Sequence, residues 1–180
     1  MNKADRVNLF RKSMREILEE IEEIIEYLDE NNFFTAPASS KYHGCYEGGL
    51  FDHSWAVMET LVELTENNKL DWENDKSPYI VGMFHDLCKM NEYTKEKSTW
   101  DSEGKYIKNE SGILKGHGEK SVMILASIIR LTEEEICCIR YHMGAYERDV
   151  WNNYNDAIKK YSNVLWTHHA DMMVSKIAGI

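Results

Sequence analysis

Imidazole and carboxylate groups recur along the chain as His53, the adjacent pair His85-Asp86, His117, His142 and Asp171. Successive members are separated by about 25 to 32 residues, the length of one helix plus its connection. Imidazole and carboxylate together suit Mn, Fe, Zn, Co or Ni, whereas Mg and Ca prefer shells of oxygen alone. An Asp can bridge two cations, and a His immediately before it can ligate one of them from the same turn. Two cations about 3.5–4 Å apart can orient a water, lower its pKa and clamp the oxygens of a phosphoryl group during in-line attack. A lone His on an amphipathic helix is more often a hydrogen-bonded structural residue than a ligand, and an isolated His-Asp dipeptide recurs by chance. The ordered series of spaced groups is what points to a metal site. Ile80, Val81, Met83 and Phe84 precede the pair, so His85 and Asp86 are expected at the end of a packed helix. A carboxylate there is costly without a cation.

The elements that must converge these groups read as helices. Val7, Phe10, Met14, Ile17, Leu18, Ile21, Ile24, Ile25 and Leu28 recur at steps of three and four, which predicts one amphipathic helix over about 1–31 with an acidic outer face. Residues 31–49 are turn-rich. A second helix is expected over about 50–66, and a third from Ser77-Pro78, where Ser can cap and Pro suits the first helical position. Residues 91–116, with Gly104 and Gly112, suggest a loop or one small hairpin. Helix returns over about 117–130. Thr132 with Glu135 forms a capping-box pattern opening a helix that ends near Gly144. After another irregular stretch, a last helix is expected over about 163–176. The fold class is all-α, a helical bundle able to gather side chains on one point, and the 180 residues are expected to form a single domain.

Composition excludes several classes. Apolar residues make up 43% and charged residues 29%, as in globular proteins rather than disordered ones. The net charge of −10, from 21 basic and 31 acidic side chains, argues against duplex DNA, whose binding rests on phosphate neutralisation by Lys and Arg. It leaves room for a local pocket that takes a small phosphorylated molecule or a strand end. No apolar run reaches a membrane span of roughly 18 residues, and the charged N-terminus lacks the apolar centre of a signal peptide. A cytoplasmic location without membrane association is therefore expected. Cys45, Cys88, Cys137 and Cys138 contain no C-x-x-C pair and read as reduced, mostly packing thiols. Nothing in the sequence assigns an oligomeric state.

Around these groups the text PASSKYHGCYEGGLFDHSWAV, VGMFHDLCKM, LKGHGEKSV, RYHMG and THHADMMVSK resembles the HD-domain superfamily of metal-dependent phosphohydrolases over roughly residues 36–177. The signature of that superfamily is H…HD…D on an all-α core. The stretch HGCYEGGLFDHS is similar to the HD domain of bacterial 3′-to-5′ exoribonucleases, standing here without their OB-fold. The resemblance implies that His53, His85, Asp86 and Asp171 hold a first divalent metal, Mn above the alternatives Fe, Zn, Co and Ni. It further implies that His117 and His142 hold a second one, with Asp86 bridging. Lys89 completes an HD-x-x-K pattern that implies an ammonium near the scissile phosphate, so Asp86 and Lys89 are the expected catalytic residues. The branch that cleaves cyclic dinucleotides carries paired histidines where this chain has His142-Met143, and no GYP triplet occurs.

The expected activity is hydrolysis of a phosphoester or phosphodiester of a nucleotide or short single-stranded oligonucleotide through a metal-activated water. Alternatives are a nucleotidase or dNTP phosphohydrolase, a mixed-valent di-iron oxygenase, and a non-catalytic module binding a nucleotide or a partner. Lys41 and His43 precede the second helix and are candidate phosphate ligands, although an ordinary exposed loop explains them equally well. Tyr93, Trp100 and Tyr106, interleaved with lysines, could stack a base, yet acidic neighbours dilute the charge and packing of the loop's own aromatics is the simpler reading. His168 shares the helical face of Asp171 and is a candidate supporting donor, whereas His169 points elsewhere.

Overall fold

In the computed structural model, residues 1–42, 44–98, 101–109, 116–144 and 151–180 are described. Among them are eight α-helices and one antiparallel hairpin: α1 (Lys3–Met14), α2 (Ile21–Glu30), α3 (Gly49–Asn68), α4 (Ser77–Phe84), β1 (Tyr93–Ser98), β2 (Asp101–Lys108), α5 (His117–Ala126), α6 (Glu133–Arg140), α7 (Trp151–Lys160) and α8 (Asn163–Met172). A 3₁₀ turn, Leu87–Lys89, follows α4, and a π-helical segment, Met173–Ala178, continues α8. The all-α class with one small hairpin is the architecture observed. The hairpin pairs Tyr93 with Lys108 and Lys95 with Tyr106, with an irregularity between Glu96 and Ser98.

The expected single N-terminal helix is two. Met14 C=O accepts from both Ile17 and Leu18 N–H, and Glu20 adopts a left-handed conformation, φ 50°, before α2 begins. A continuous helix would stack Glu16, Glu19, Glu20 and Glu23 at like-charge spacings of three and four. The turn avoids this, buries Leu18, and lets Arg11 grip Glu22 through two hydrogen bonds of 2.6 and 2.9 Å. Helix α7 lies where the sequence suggested irregular structure. Its asparagines, Asn152, Asn153 and Asn155, are poor helix formers, and burial of Tyr154 and Ala157 overrides them.

All five phenylalanines of the chain meet in one cluster. Phe10 of α1, Phe33 and Phe34 of the following turn, Phe51 of α3 and Phe84 of α4 are fully buried, with mostly edge-to-face contacts at centroid separations of 5.4–6.4 Å. This cluster fixes α3 and α4, which carry His53 and lead into His85-Asp86, against each other and against the N-terminal helices. Next to His53, Asp52 receives two 2.9 Å hydrogen bonds from the buried Arg6 guanidinium, a bidentate pair that ties α1 to the first turn of α3.

The capping box at Thr132 and Glu135 is present, with Glu135 N–H donating to the Thr132 hydroxyl and Thr132 N–H to the Glu135 carboxylate. The remaining Glu135 oxygen accepts from Ser77 at 2.8 Å. Ser77 therefore does not cap its own helix, as expected from sequence, but joins α4 to α6 from inside the core. Neighbouring Glu134 accepts from Glu73 N–H and from Asn163 of α8 at 2.8 and 2.9 Å. These two buried carboxylates set α6 between α4 and α8.

Helices α3 and α4 approach closely at Gly82, where a Cβ would overlap the Met58 Cα and lie 2.9 Å from its nitrogen. Gly82→Ala is expected to destabilise the protein by about 1–3 kcal/mol, because backbone rather than a movable side chain must give way. Chemical denaturation measures this, and a change below about 0.5 kcal/mol, the size of an ordinary surface substitution, would show that the interhelical fit does not matter.

Candidate metal centre

Asp86 sits just past α4, only 2% exposed, and four histidines converge on its carboxylate. Oδ1 lies 2.6 Å from His117 Nε2 and 3.6 Å from His142 Nε2. Oδ2 lies 3.5 Å from His85 Nε2, 3.6 Å from His53 Nε2 and 2.6 Å from Lys89 Nζ. Asp171 of α8, half-buried, approaches His53 Nε2 at 3.2 Å through Oδ1. The structure thus brings together all six residues that the spacing singled out, from α3, α4, α5, α6 and α8, with Lys89 beside them.

Backbone carbonyls decide which ring nitrogens face the centre. A carbonyl can only accept, so a ring nitrogen bonded to one must carry the proton. His85 Nδ1–H donates to Gly82 C=O at 2.9 Å and His142 Nδ1–H to Ile139 C=O at 2.7 Å. Both are contacts to the third residue back. Helices α4 and α6 end at Phe84 and Arg140, so their last carbonyls have no partner within the helix and are open to the ring. His53 Nδ1–H donates to Ile180 C=O at 2.9 Å, across 127 residues of chain. All three rings consequently turn Nε2 lone pairs toward Asp86, and the C-terminal ends of two helix dipoles point the same way.

That arrangement calls for positive charge. The Nε2 atoms of His53 and His85 are 3.3 Å apart and face each other as two acceptors. His142 Nε2 is buried without a hydrogen-bond partner among the described residues. A second proton on the rings or a shared cation must reconcile them. Burial, reinforced by the neighbouring rings of His142 and His53, drives His85 down to about 3 despite the carboxylates, so that ring does not supply the proton. His142 moves the other way: burial lowers it, but Asp86 and Asp171 more than offset that and hold it above its ordinary value. Burial would raise Asp86, yet Lys89, His85 and His117 keep it well below the carboxylate range, and Asp171 is lowered in the same manner by His53 and its neighbours. A pair of ionised carboxylates among inward-facing imidazole nitrogens, with His142 the ring that takes a proton in place of a cation, fits a divalent transition metal.

The comparisons with known proteins agree with this geometry. The profile of the HD domain matches residues 50–174. The chain belongs to the HD domain family. HD domains are mostly metal-dependent hydrolases and bind divalent metals, and the matched range contains His53, His85-Asp86 and Asp171. No curated protein and no solved structure matched the chain, so the likeness to the exoribonuclease HD domain rests on the sequence motifs alone. No helix among the described residues of this HD protein is long and apolar enough to cross a membrane.

A cavity of about 270 Å³ opens onto the centre, lined by Asp86, Lys89, His117, Met143, His168, Asp171, Met172, Ser175 and Lys176. His168 Nδ1–H donates to His142 C=O at 2.7 Å, so it supports the loop that carries a candidate ligand. His169 is exposed and meets Trp166 edge-on at 6.3 Å. Other substrate candidates are elsewhere. Lys41 is exposed on the turn before α3, and Tyr106 lies under Lys95, whose Nζ is 5.4 Å from the ring centroid. Neither lines this cavity. Tyr93 is half-buried on β1, its hydroxyl pushed up to about 12 chiefly by burial, and it too is absent from the described walls. His43 and Trp100 fall outside the described residues.

Sequence reasoning missed three parts of the site. Cys88, read as a packing thiol, places Sγ 3.2 Å from His117 Nδ1. Its thiol is pushed up to about 12 by burial, so it stays protonated and can donate to that nitrogen while His117 Nε2–H donates to Asp86. The other tautomer, with the ring donating to Sγ, turns His117 Nε2 into a ligand. Ser175 and Lys176 line the cavity one turn beyond Asp171, a spacing of four and five that could have flagged them. The Ile180 carbonyl carries no sequence signal.

With Mn²⁺, thermal unfolding of the wild-type protein is expected to shift upward, as for any ligand that binds only the folded state. Asp86→Asn keeps the shape but removes the central charge, and should abolish that shift and weaken retention of the ion at least about tenfold. Equal metal content in the two proteins, measured by elemental analysis after dialysis, would sink the assignment.

Proposed function

We propose that this protein hydrolyses a phosphoester or phosphodiester of a nucleotide or a short single-stranded oligonucleotide in a cytoplasmic setting. The observation that carries the reading is the cluster of inward-facing imidazole nitrogens around the buried Asp86 carboxylate, with the half-buried Lys89 at the wall of a cavity that reaches it. His53, His85, Asp86 and Asp171 would hold a first divalent ion, with Mn the leading choice, and His117 and His142 a second one with Asp86 between. Such ions supply Lewis acidity and lower the pKa of water.

The chain's own groups supply binding and orientation. Lys89 remains protonated although burial opposes its charge, because Asp86 at 2.6 Å more than offsets that cost. Its ammonium can turn from Asp86 to a phosphoryl oxygen in the cavity and stabilise the charge that develops there. Lys176, on the same wall, adds a second cation in a protein whose net charge is −10. With divalent ions balancing Asp86 and Asp171, the two lysines would make the wall positive and favour a small anion or a single strand end, which the overall acidity would not exclude as it does an extended duplex. The carbonyls of Gly82, Ile139 and Ile180 keep the ring protons on Nδ1, and Asp171 Oδ1 stands 3.2 Å from the His53 Nε2 lone pair, two acceptors that a shared cation would reconcile.

A substrate panel under Mn²⁺ tests the reading: deoxynucleoside triphosphates, nucleoside monophosphates, cyclic dinucleotides and a labelled short RNA. Shortening of the RNA or release of phosphate from mononucleotides is the expected outcome. Intact RNA alongside rapid triphosphate release would replace it with a dNTP phosphohydrolase. Lys89→Met should lower kcat on the active substrate about a hundredfold, the loss typical of one charge-stabilising donor, while leaving metal content unchanged. An unaltered kcat would remove Lys89 from the reaction.

A further inference from the structure

A second cavity, of about 400 Å³, adjoins the first along α8 and its π-helical extension. Its walls are Leu64 of α3 with Trp166, His169, Met172, Met173, Lys176 and Ile177. Met172 and Lys176 line both cavities. The two are therefore compartments of one cleft, the first charged and the second almost wholly apolar. Met173 is 42% exposed and Ile177 is 82% exposed, which leaves a shelf of large apolar side chains open beside a centre built for charge. Such a contiguous apolar patch costs solubility and usually marks a binding surface.

The size of the inner compartment argues for what belongs on the shelf. About 270 Å³ is below the roughly 300–1,000 Å³ of pockets that take a whole organic ligand, and part of it must take ions and a phosphoryl group. The organic part of any sizeable phosphoester must extend outward, and the shelf is the adjoining wall. Trp166 is half-buried, with its edge set by His169, so a flat aromatic face is held in place at little entropic cost. Methionines 172 and 173 offer polarisable, adaptable contacts to a ring. Lys176 stands at the junction, without an ion-pair partner among the described residues, where an anionic oxygen of the substrate's phosphate can reach it.

We infer that the Trp166–Met172–Met173–Ile177 shelf is the subsite for the planar aromatic ring of the phosphorylated substrate, with Lys176 receiving an anionic oxygen of its phosphate at the junction. This rests on the phosphohydrolase reading for its substrate and adds the element that selects a nucleotide over a simple sugar phosphate.

Equilibrium binding of a 5′-nucleotide and of ribose 5-phosphate to the Mn-loaded and to the metal-free protein tests it, since the second ligand has an anomeric hydroxyl in place of the base and is otherwise the same. The nucleotide is expected to bind about tenfold or more tightly, as stacking on one aromatic side chain allows. Trp166→Ala should cut that preference below about threefold and leave ribose 5-phosphate binding within about twofold of wild type. Because Trp166 also packs on the core, Ile177→Glu, at a position open to solvent, is the second variant and should lower the preference as well. Lys176→Met should weaken both ligands alike. An unchanged preference in both Trp166→Ala and Ile177→Glu, or equal binding of the two ligands by the wild type, overturns the subsite. So does a dimer that dissociates on Ile177→Glu without any change in preference, which would assign the shelf to a second copy of the chain. Base-dependent binding with no turnover of any phosphoester would defeat the hydrolase reading and keep the subsite. Turnover without base preference would do the reverse.

Discussion

A single carboxylate, that of Asp86, sets the terms for the rest of the structure. Removing an ionised carboxylate from water is expensive unless positive charge compensates it nearby. Here the compensation is built from several directions: Lys89 from the next turn, His117 from α5, and imidazole nitrogens arranged so that a cation completes them. The rings are aimed by backbone carbonyls that two helices leave open at their ends. Helices α4 and α6 must therefore stop where they do, one residue before His85 and two before His142.

The remainder of the fold serves that convergence. The phenylalanine cluster fixes the angle between α3 and α4, and the Arg6–Asp52 pair holds the turn immediately before His53. Glu134 and Glu135, both buried, hold α6 to α4 and α8, so that His142 and Asp171 face the same point. The N-terminal helices are thus structural supports of the candidate metal centre even though none of the six candidate ligands lies on them. Charge is distributed in the same spirit: the surface is acidic, whereas the cavity wall carries Lys89 and Lys176.

Several features that looked local in sequence have a tertiary role instead. Ser77 has the right type and place to cap α4 but donates to Glu135, because a buried carboxylate needs that hydrogen more than an exposed helix end does. Cys88 has the spacing of a packing residue in an apolar run, yet its sulfur touches His117. Tyr106, a plausible stacking residue by its lysine-rich surroundings, is covered by one of those lysines. In each case the residue type was informative and its partner was not, since the partner is brought by another element.

The sequence alone determined the helical class, the capping box at Thr132, the hairpin region and the six groups around the centre, because periodicity, turn chemistry and ligand type are properties of short stretches. It also gave the order in which helices deliver those groups. The tertiary structure decided what depends on distant segments meeting. It broke the N-terminal helix at Glu20, drew α7 out of an asparagine-rich stretch, left Tyr93 and Tyr106 off the described walls of the cavity, and put Lys176 at the junction of the two compartments. Most of all it brought the Ile180 carbonyl to His53, which fixes the tautomer of a candidate ligand. A backbone oxygen has no residue type to read, so only the folded path of the chain reveals which ring it orients.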